Sequence, residues 1–161
     1  MLSTIGCKKT TTNNYVVKDS VYYSAWLPLS TQMTIDPTTG DTFYTQQISA
    51  PAITASVISK GAVVGYYGYP TSGGDTLMFD EAEFGSFAEM SVTTGNIEID
   101  AISDLTYTNN GYLFRYVIIP GNVLVTSFNG LTQQQLHRLS FSDVQKAVNT
   151  AKQSSGNTLT P

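Results

Sequence analysis

The stretch Tyr112-Leu113-Phe114-Arg115-Tyr116-Val117-Ile118-Ile119 is apolar at odd and even positions alike, broken only by Arg115. Successive side chains of a strand point to opposite faces, so such a run needs cover on both sides and belongs at the centre of a sheet. It ends at Pro120-Gly121, a pair that punctuates a ladder. The fold must therefore bring an apolar layer to each face of this strand. The C-terminal region offers one. LTQQQLHRL contains helix formers with Leu136 and Leu139 on one side, and Ser140-Phe141-Ser142-Asp143 has the spacing of a capping box with Asp in the Glu position. Phe141, Val144, Ala147, Val148 and Ala151 recur behind it at helical spacing, which predicts helices over about residues 131–151.

The remaining signals are mostly those of strands. Tyr15-Val16-Val17 and the run from Val21 to Trp26 are β-branched and aromatic, the second ending near Pro28. Asp36-Pro37-Thr38-Thr39-Gly40 supplies a fixed φ and a left-handed position, and reads as the turn of a hairpin. Asp36 and Asp41 also suggest a calcium loop, but the alternating ligand set of such a loop is absent. SAPAITASVISKG fits either period; Pro51 at a first helical position, with Lys60 and Gly61 at the end, predicts a short helix over about 51–60.

Residues 61–70 return to strand, followed by a Gly-rich loop, Thr71 to Asp75, that matches no nucleotide fingerprint. Phe84 to Val92 reads as a strand, and Asn96-Ile97-Glu98-Ile99-Asp100-Ala101 alternates cleanly, as a half-buried antiparallel strand does. Asn109-Asn110-Gly111 reads as a primed hairpin turn joining Leu105-Thr106-Tyr107 to the central strand.

At 161 residues the chain has the length of one domain. The divisions expected are a segment 1–14 with a polar tether at 8–14, a domain over 15–151 and a tail over 152–161. Only 12% of residues are charged, about half the usual share, while Thr, Ser, Asn, Gln, Gly and Tyr are plentiful. This is the palette of β-structure in an extracytoplasmic setting. Eight Lys and Arg against a net charge of -4 leave no basic stripe for phosphates, so nucleic acid is not an expected partner. One cysteine excludes an intramolecular disulfide.

Three stretches carry a resemblance: the segment around Trp26, the unit SAPAITASVISKGAVVGYY, and FRYVIIPG followed by LHRLSFSDVQKAVN. Through them most of residues 20–150 resembles a group of small uncharacterised lipoproteins from Bacteroidota. The resemblance implies a mainly β fold, an antiparallel β-sandwich with a short internal helix and a C-terminal helical cap. It brings no enzymatic activity and no functional residue.

Thr4-Ile5-Gly6-Cys7 is similar to a bacterial lipobox, in which small residues flank the thiol to be acylated, with Thr where Leu is usual. Six residues precede Cys7, whereas an export signal takes roughly 15 to 30. The reading therefore expects a start upstream of Met1 or a chain trimmed near its cleavage site. A stray cysteine in a polar cytosolic tail is the plainer alternative. Lipidation at Cys7 implies a membrane partner through the acyl chains and an outer-membrane location in the cell envelope. Lys8 and Lys9, where surface-exported lipoproteins of this phylum often carry acidic residues, leave surface and periplasmic faces both open.

Other candidate sites each have a structural explanation beside the functional one. His137 stands alone among Leu136, Arg138 and Leu139, without the partners a zinc site or a general base requires. Asp75, Asp80, Glu81, Glu83 and Glu89 could contain a glycosidase pair or a cation site, or simply line a solvated edge. Trp26, Tyr66, Tyr67 and Tyr69 form a candidate binding patch for a protein or glycan, although neighbouring strand tyrosines point to opposite faces. Arg115 is expected to pair with Glu98 or Asp100 or to reach the sheet edge. No cofactor or metal is expected. The function expected is a non-enzymatic envelope lipoprotein that binds protein or glycan; the alternatives are a small carboxylate-dependent hydrolase and a structural subunit of an envelope assembly. Expressed from its native upstream sequence, the protein should carry acyl chains at Cys7 by intact mass and partition with membranes, whereas soluble protein with an unmodified thiol would refute the anchor.

Overall fold

The computed structural model describes residues 21–72, 76–80, 84–85 and 87–156. Cys7, the 8–14 tether, the Tyr15–Val17 segment, Gly73, Gly74, Asp75, Glu81, Glu83 and residues 157–161 lie outside the described residues. The described strands are β1 (Tyr22–Tyr23), β2 (Leu27–Pro28), β3 (Gln32–Ile35), β4 (Thr42–Ser49), β5 (Ala62–Pro70), β6 (Thr76–Asp80), β7 (Ala88–Thr93), β8 (Asn96–Ala101) and β9 (Leu113–Ile119). The helices are α1 (Ala55–Lys60), α2 (Tyr107–Asn110), α3 (Gly121–Ser127), α4 (Gln133–Leu136) and α5 (Phe141–Gly156).

Two antiparallel sheets result. The first runs β1-β9-β5-β6, with β2 also on β9, and the second runs β3-β4-β8-β7. β9 is central, flanked by β5 on one side and by β1 and β2 on the other. Its even residues Phe114, Tyr116 and Ile118 pack between the sheets with Val63 and Tyr67 of β5 and with Ile48, Ile97, Ile99 and Ala101 of the second sheet. Its odd residues Val117 and Ile119 face the other way, joining Val64 and Tyr66 against Phe128, Leu136, Val144 and Val148 of the helical layer. Three layers thus stack as helices, first sheet, second sheet. Burying each such Val or Ile contributes about 1.5–3 kcal/mol, so the doubly covered strand is the main apolar reservoir of the fold.

The edge beside β9 is kinked. Tyr23 lies opposite Val117 and Leu27 opposite Phe114, so three residues, Ser24, Ala25 and Trp26, face two, Arg115 and Tyr116. This is a bulge, and Ser24 holds it. The Ser24 N–H donates to Tyr116 O at 3.0 Å, and the Tyr116 N–H donates to Ser24 Oγ at 2.9 Å. The extra residue moves Trp26 onto the helical face together with Tyr23, where strict alternation would have put Ala25. Of the expected strand over Val21 to Trp26 only Tyr22–Tyr23 is paired as strand, and the ladder resumes beyond it at Leu27–Pro28.

Two other boundaries differ from expectation. Asn109-Asn110-Gly111 is no hairpin turn: residues 107–110 form a helical turn, and Gly111, at φ 75°, caps it by donating to Tyr107 O at 2.8 Å. No non-glycine residue among those described has positive φ, whereas the type I′ turn that Asn-Gly favours needs two such positions. Leu105-Thr106-Tyr107 is not a strand either, because buried Thr31 claims it. Leu105 N–H donates to Thr31 Oγ1, Thr106 Oγ1 to Thr31 O, and Tyr107 N–H to Leu29 O.

The short helix begins at Ala55, with Thr54 as its cap accepting from the Val57 N–H at 3.3 Å. Pro51 instead occupies a turn closed by Ile53 N–H to Ala50 O at 2.9 Å, since buried Ala50, Ala52 and Ile53 pin that segment to the core. At its far end Gly61 has φ -104°, so no left-handed cap forms. Glycine is required there by proximity: a Cβ on Gly61 would lie 2.4 Å from Ile119 O, and one on Gly121 2.6 Å from Lys60 O. The end of α1 and the exit of β9 therefore touch backbone to backbone. The capping box at α5 forms as expected, with Asp143 N–H donating to Ser140 Oγ and Ser140 Oγ–H to Asp143 Oδ2 at 2.6 Å; that helix runs to Gly156. Because backbone, not a mobile side chain, meets the added methyl, Gly61→Ala should lower unfolding free energy by about 1–3 kcal/mol in denaturant titrations.

Candidate functional site

The aromatic residues singled out in the sequence do not share a surface. Tyr66 and Tyr67 are 1% and 0% exposed and point into different cores. The Tyr66 hydroxyl donates to Leu139 O at 3.1 Å. Tyr67 stacks on Phe84, with ring centres 4.4 Å apart, and leans on Phe114. Tyr69 is partly exposed against Phe79 and Tyr112, while Trp26 lies on the helical side of the first sheet. Two adjacent tyrosines on a central strand are packing residues for the two layers that cover it.

Arg115 likewise has a structural place. Glu98 and Asp100 belong to the second sheet, and Arg115 points into the helical layer, so the expected ion pair is not made. Its guanidinium lies between rings, 4.2 Å from the centre of Phe141 and 5.1 Å from that of Trp26. Nη2 donates to Ser24 O at 3.0 Å. Burial pulls its pKa below the ordinary value, with Tyr23 and Tyr66 opposing that shift. The cation thus staples α5 to the bulged edge.

Of the carboxylate cluster, the two described members lie in different sheets. Asp80 ends β6 in the first sheet and Glu89 lies on β7 in the second. Asp36 is turn chemistry: its Oδ1 accepts from the Thr38 N–H at 2.7 Å, which holds the carboxyl below its ordinary pKa. His137 sits half-buried in the turn after α4. Among the described residues no three His, Cys, Asp or Glu side chains gather to hold a metal, and no helix is long and apolar enough to cross a membrane.

What the structure does assemble is the outer face of the second sheet. Strand alternation sends Ile97, Ile99 and Ala101 inward and Glu98 and Asp100 outward. Register places Glu89 directly opposite Asp100, and Gln47 opposite Glu98. Gln47 donates from Nε2 to Glu98 and accepts from Asn96 Nδ2, which gives the face a polar row. Beside it, Phe43, Phe87 and Ile102 are 38%, 51% and 67% exposed. With Glu89 and Asp100 they line an open depression of about 250 Å³.

Asp100 has its pKa raised, first by partial burial and then by repulsion from Glu98 and Glu89. The outward alternation of Glu98 and Asp100 was legible in the sequence. Phe43 and Phe87 were not, because an aromatic in a strand pattern reads as core.

No protein-family model matches the chain, and neither a curated protein nor a solved structure matches it.

The raised Asp100 pKa means that the folded state binds this proton more tightly than the unfolded chain. Stability is therefore lost as pH rises through the interval between the ordinary and the raised value. Asp100→Asn should raise the melting temperature at pH 7, and the gain should vanish once pH falls below the ordinary carboxylate pKa of about 3.9, as thermal scans across pH would show.

Proposed function

We propose that this chain is a non-enzymatic lipoprotein of the bacterial cell envelope, held to the membrane through Cys7, whose open sheet face binds a partner protein. One observation carries the binding reading: exposed Phe43, Phe87 and Ile102 sit beside Glu89 and Asp100 on a sheet face that no layer covers among the described residues. Exposed rings grouped with polar neighbours are the usual make-up of recognition surfaces. Support for the anchor comes from the Thr4-Ile5-Gly6-Cys7 box and the polar residues that follow it.

Charge narrows the partner. Among the described residues the second sheet carries no Lys or Arg; Lys60, Arg115, Lys146 and Lys152 belong to the first sheet and the helices, and Arg138 to the turn after α4. The face is thus acidic and apolar together, and suits a protein surface presenting Lys or Arg around an apolar centre. Glu89 and Asp100 stand side by side as register partners on one sheet face rather than opposed across a cleft, which favours recognition over two-carboxylate hydrolysis.

The test is capture from envelope extracts by the chain and by Phe87→Ala and Glu89→Gln variants, with a glycan array in parallel. Wild-type protein should retain a partner that both variants bind at least about tenfold more weakly, with salt weakening the complex further. Glycan binding lost in the same variants would reassign the ligand to a sugar. Capture indifferent to both substitutions, or absence of binding in both assays, would remove the reading.

A further inference from the structure

The other feature of the second sheet is its β3 edge. Among the described residues β3 pairs with β4 alone and ends the sheet, and its four residues, Gln32 to Ile35, are all exposed. Sheet edges are templates for further strands, and proteins blunt them with bulges, proline or charge. Two edges of this molecule are blunted in that way. The β1–β2 edge carries the Ser24–Trp26 bulge and Pro28, and β7 carries exposed Glu89. β3 has no charge, no proline and an unbroken register with β4. It instead exposes Met33 at 62% and Ile35 at 56%.

The direction of the free backbone groups follows from the hairpin. Asp36 N–H donates to Asp41 O at 2.9 Å, so hydrogen-bonded pairs alternate back along the ladder at Thr34–Phe43 and Gln32–Thr45. Met33 and Ile35 are the intervening residues, and they turn their N–H and C=O groups away from β4. Both side chains lie on the face shared with Tyr44, the register partner of Met33.

We propose that β3 is a self-association edge, joining a second copy of this chain through an antiparallel β3–β3 pairing across a two-fold axis. The edge is self-complementary in one register. With Thr34 opposite Thr34 of the second copy, Met33 falls opposite Ile35 and Ile35 opposite Met33. All four outward-facing residues then exchange both of their backbone hydrogen bonds, and the two Met33 and two Ile35 side chains form one apolar row. Gln32 falls opposite Asp36, an amide beside a carboxylate, and the two Asp36 residues stay roughly 14 Å apart at strand rise. The arrangement is closed: each copy uses up the edge it offers, which yields a dimer and no fibre. It joins two four-stranded sheets into one, and leaves the acidic face with Phe87 and Asp100 open on both copies.

Full-length chain carrying Cys7→Ser, without acyl groups, should show a monomer–dimer equilibrium by sedimentation. Met33→Lys and Ile35→Lys should each weaken it at least about tenfold. Both positions are exposed, so unchanged circular dichroism and melting temperature would certify the fold of each variant. A second measurement reads the register. Thr34 faces its own mate at a non-hydrogen-bonded pair, with Cα atoms about 4.5 Å apart, inside the range a disulfide bridges. Thr34→Cys in the Cys7→Ser background should therefore oxidise to a disulfide dimer, and Gln32→Cys should not. A monomer at every concentration, a dimer indifferent to both lysines, or cross-linking through residue 32 in place of 34 would overturn the proposal.

Discussion

The fold depends on burying one strand from both sides. β9 has no polar face to give to water, so it needs the second sheet on one side and the helices on the other, and β5 beside it repeats the requirement through Val63 and Tyr67 inward and Val64 and Tyr66 outward. Everything else is arranged around that demand. The hairpins of the second sheet supply Ile48, Ile97, Ile99 and Ala101 as one cover, and α3 to α5 supply Phe128, Leu136, Val144 and Val148 as the other. Neither cover is optional, because an apolar strand face left in water would forfeit the burial that offsets the entropy of ordering the chain.

This demand also explains where polar groups appear inside. The odd face of β9 contains Arg115, and a cation there needs company. The bulge at Ser24 meets the need by turning Ser24 O toward Nη2 and by moving Trp26 to the helical side, while α5 brings Phe141 over the guanidinium. The helical layer and the bulged edge are thereby coupled through one side chain. By contrast, among the described residues no layer packs on the outer face of the second sheet, and Phe43, Phe87 and Ile102 stay exposed there.

Much of the architecture was readable from local pattern. The two-sided run of β9, the alternation of β8, the turn at Asp36–Gly40 and the capping box at Ser140 each state their structure within a few residues. The errors share one cause. Asn109-Asn110-Gly111 satisfies a helix end as well as a hairpin, and the choice was made by Thr31, more than seventy positions away, taking the Leu105 N–H. Pro51 suits a helix start and a turn equally, and the core contacts of Ala50, Ala52 and Ile53 chose the turn. The candidate aromatic patch failed for a related reason: alternation separates Tyr66 from Tyr67, and both sides of their strand are covered.

By itself, then, the sequence determined that this protein has a doubly covered central strand, a mainly β body and an amphipathic helix near its C-terminus, because hydrophobic periodicity is a local property of the chain. It could state that Glu98 and Asp100 share a face. Only the tertiary structure decided that no described layer covers this face, that Glu89, Phe43, Phe87 and Ile102 share it, and that Arg115 lies away from Glu98 and Asp100 in the helical layer. Strand period announces two faces but does not say which layer will meet each. That assignment is made by long-range register, where residues distant in the chain become neighbours in space.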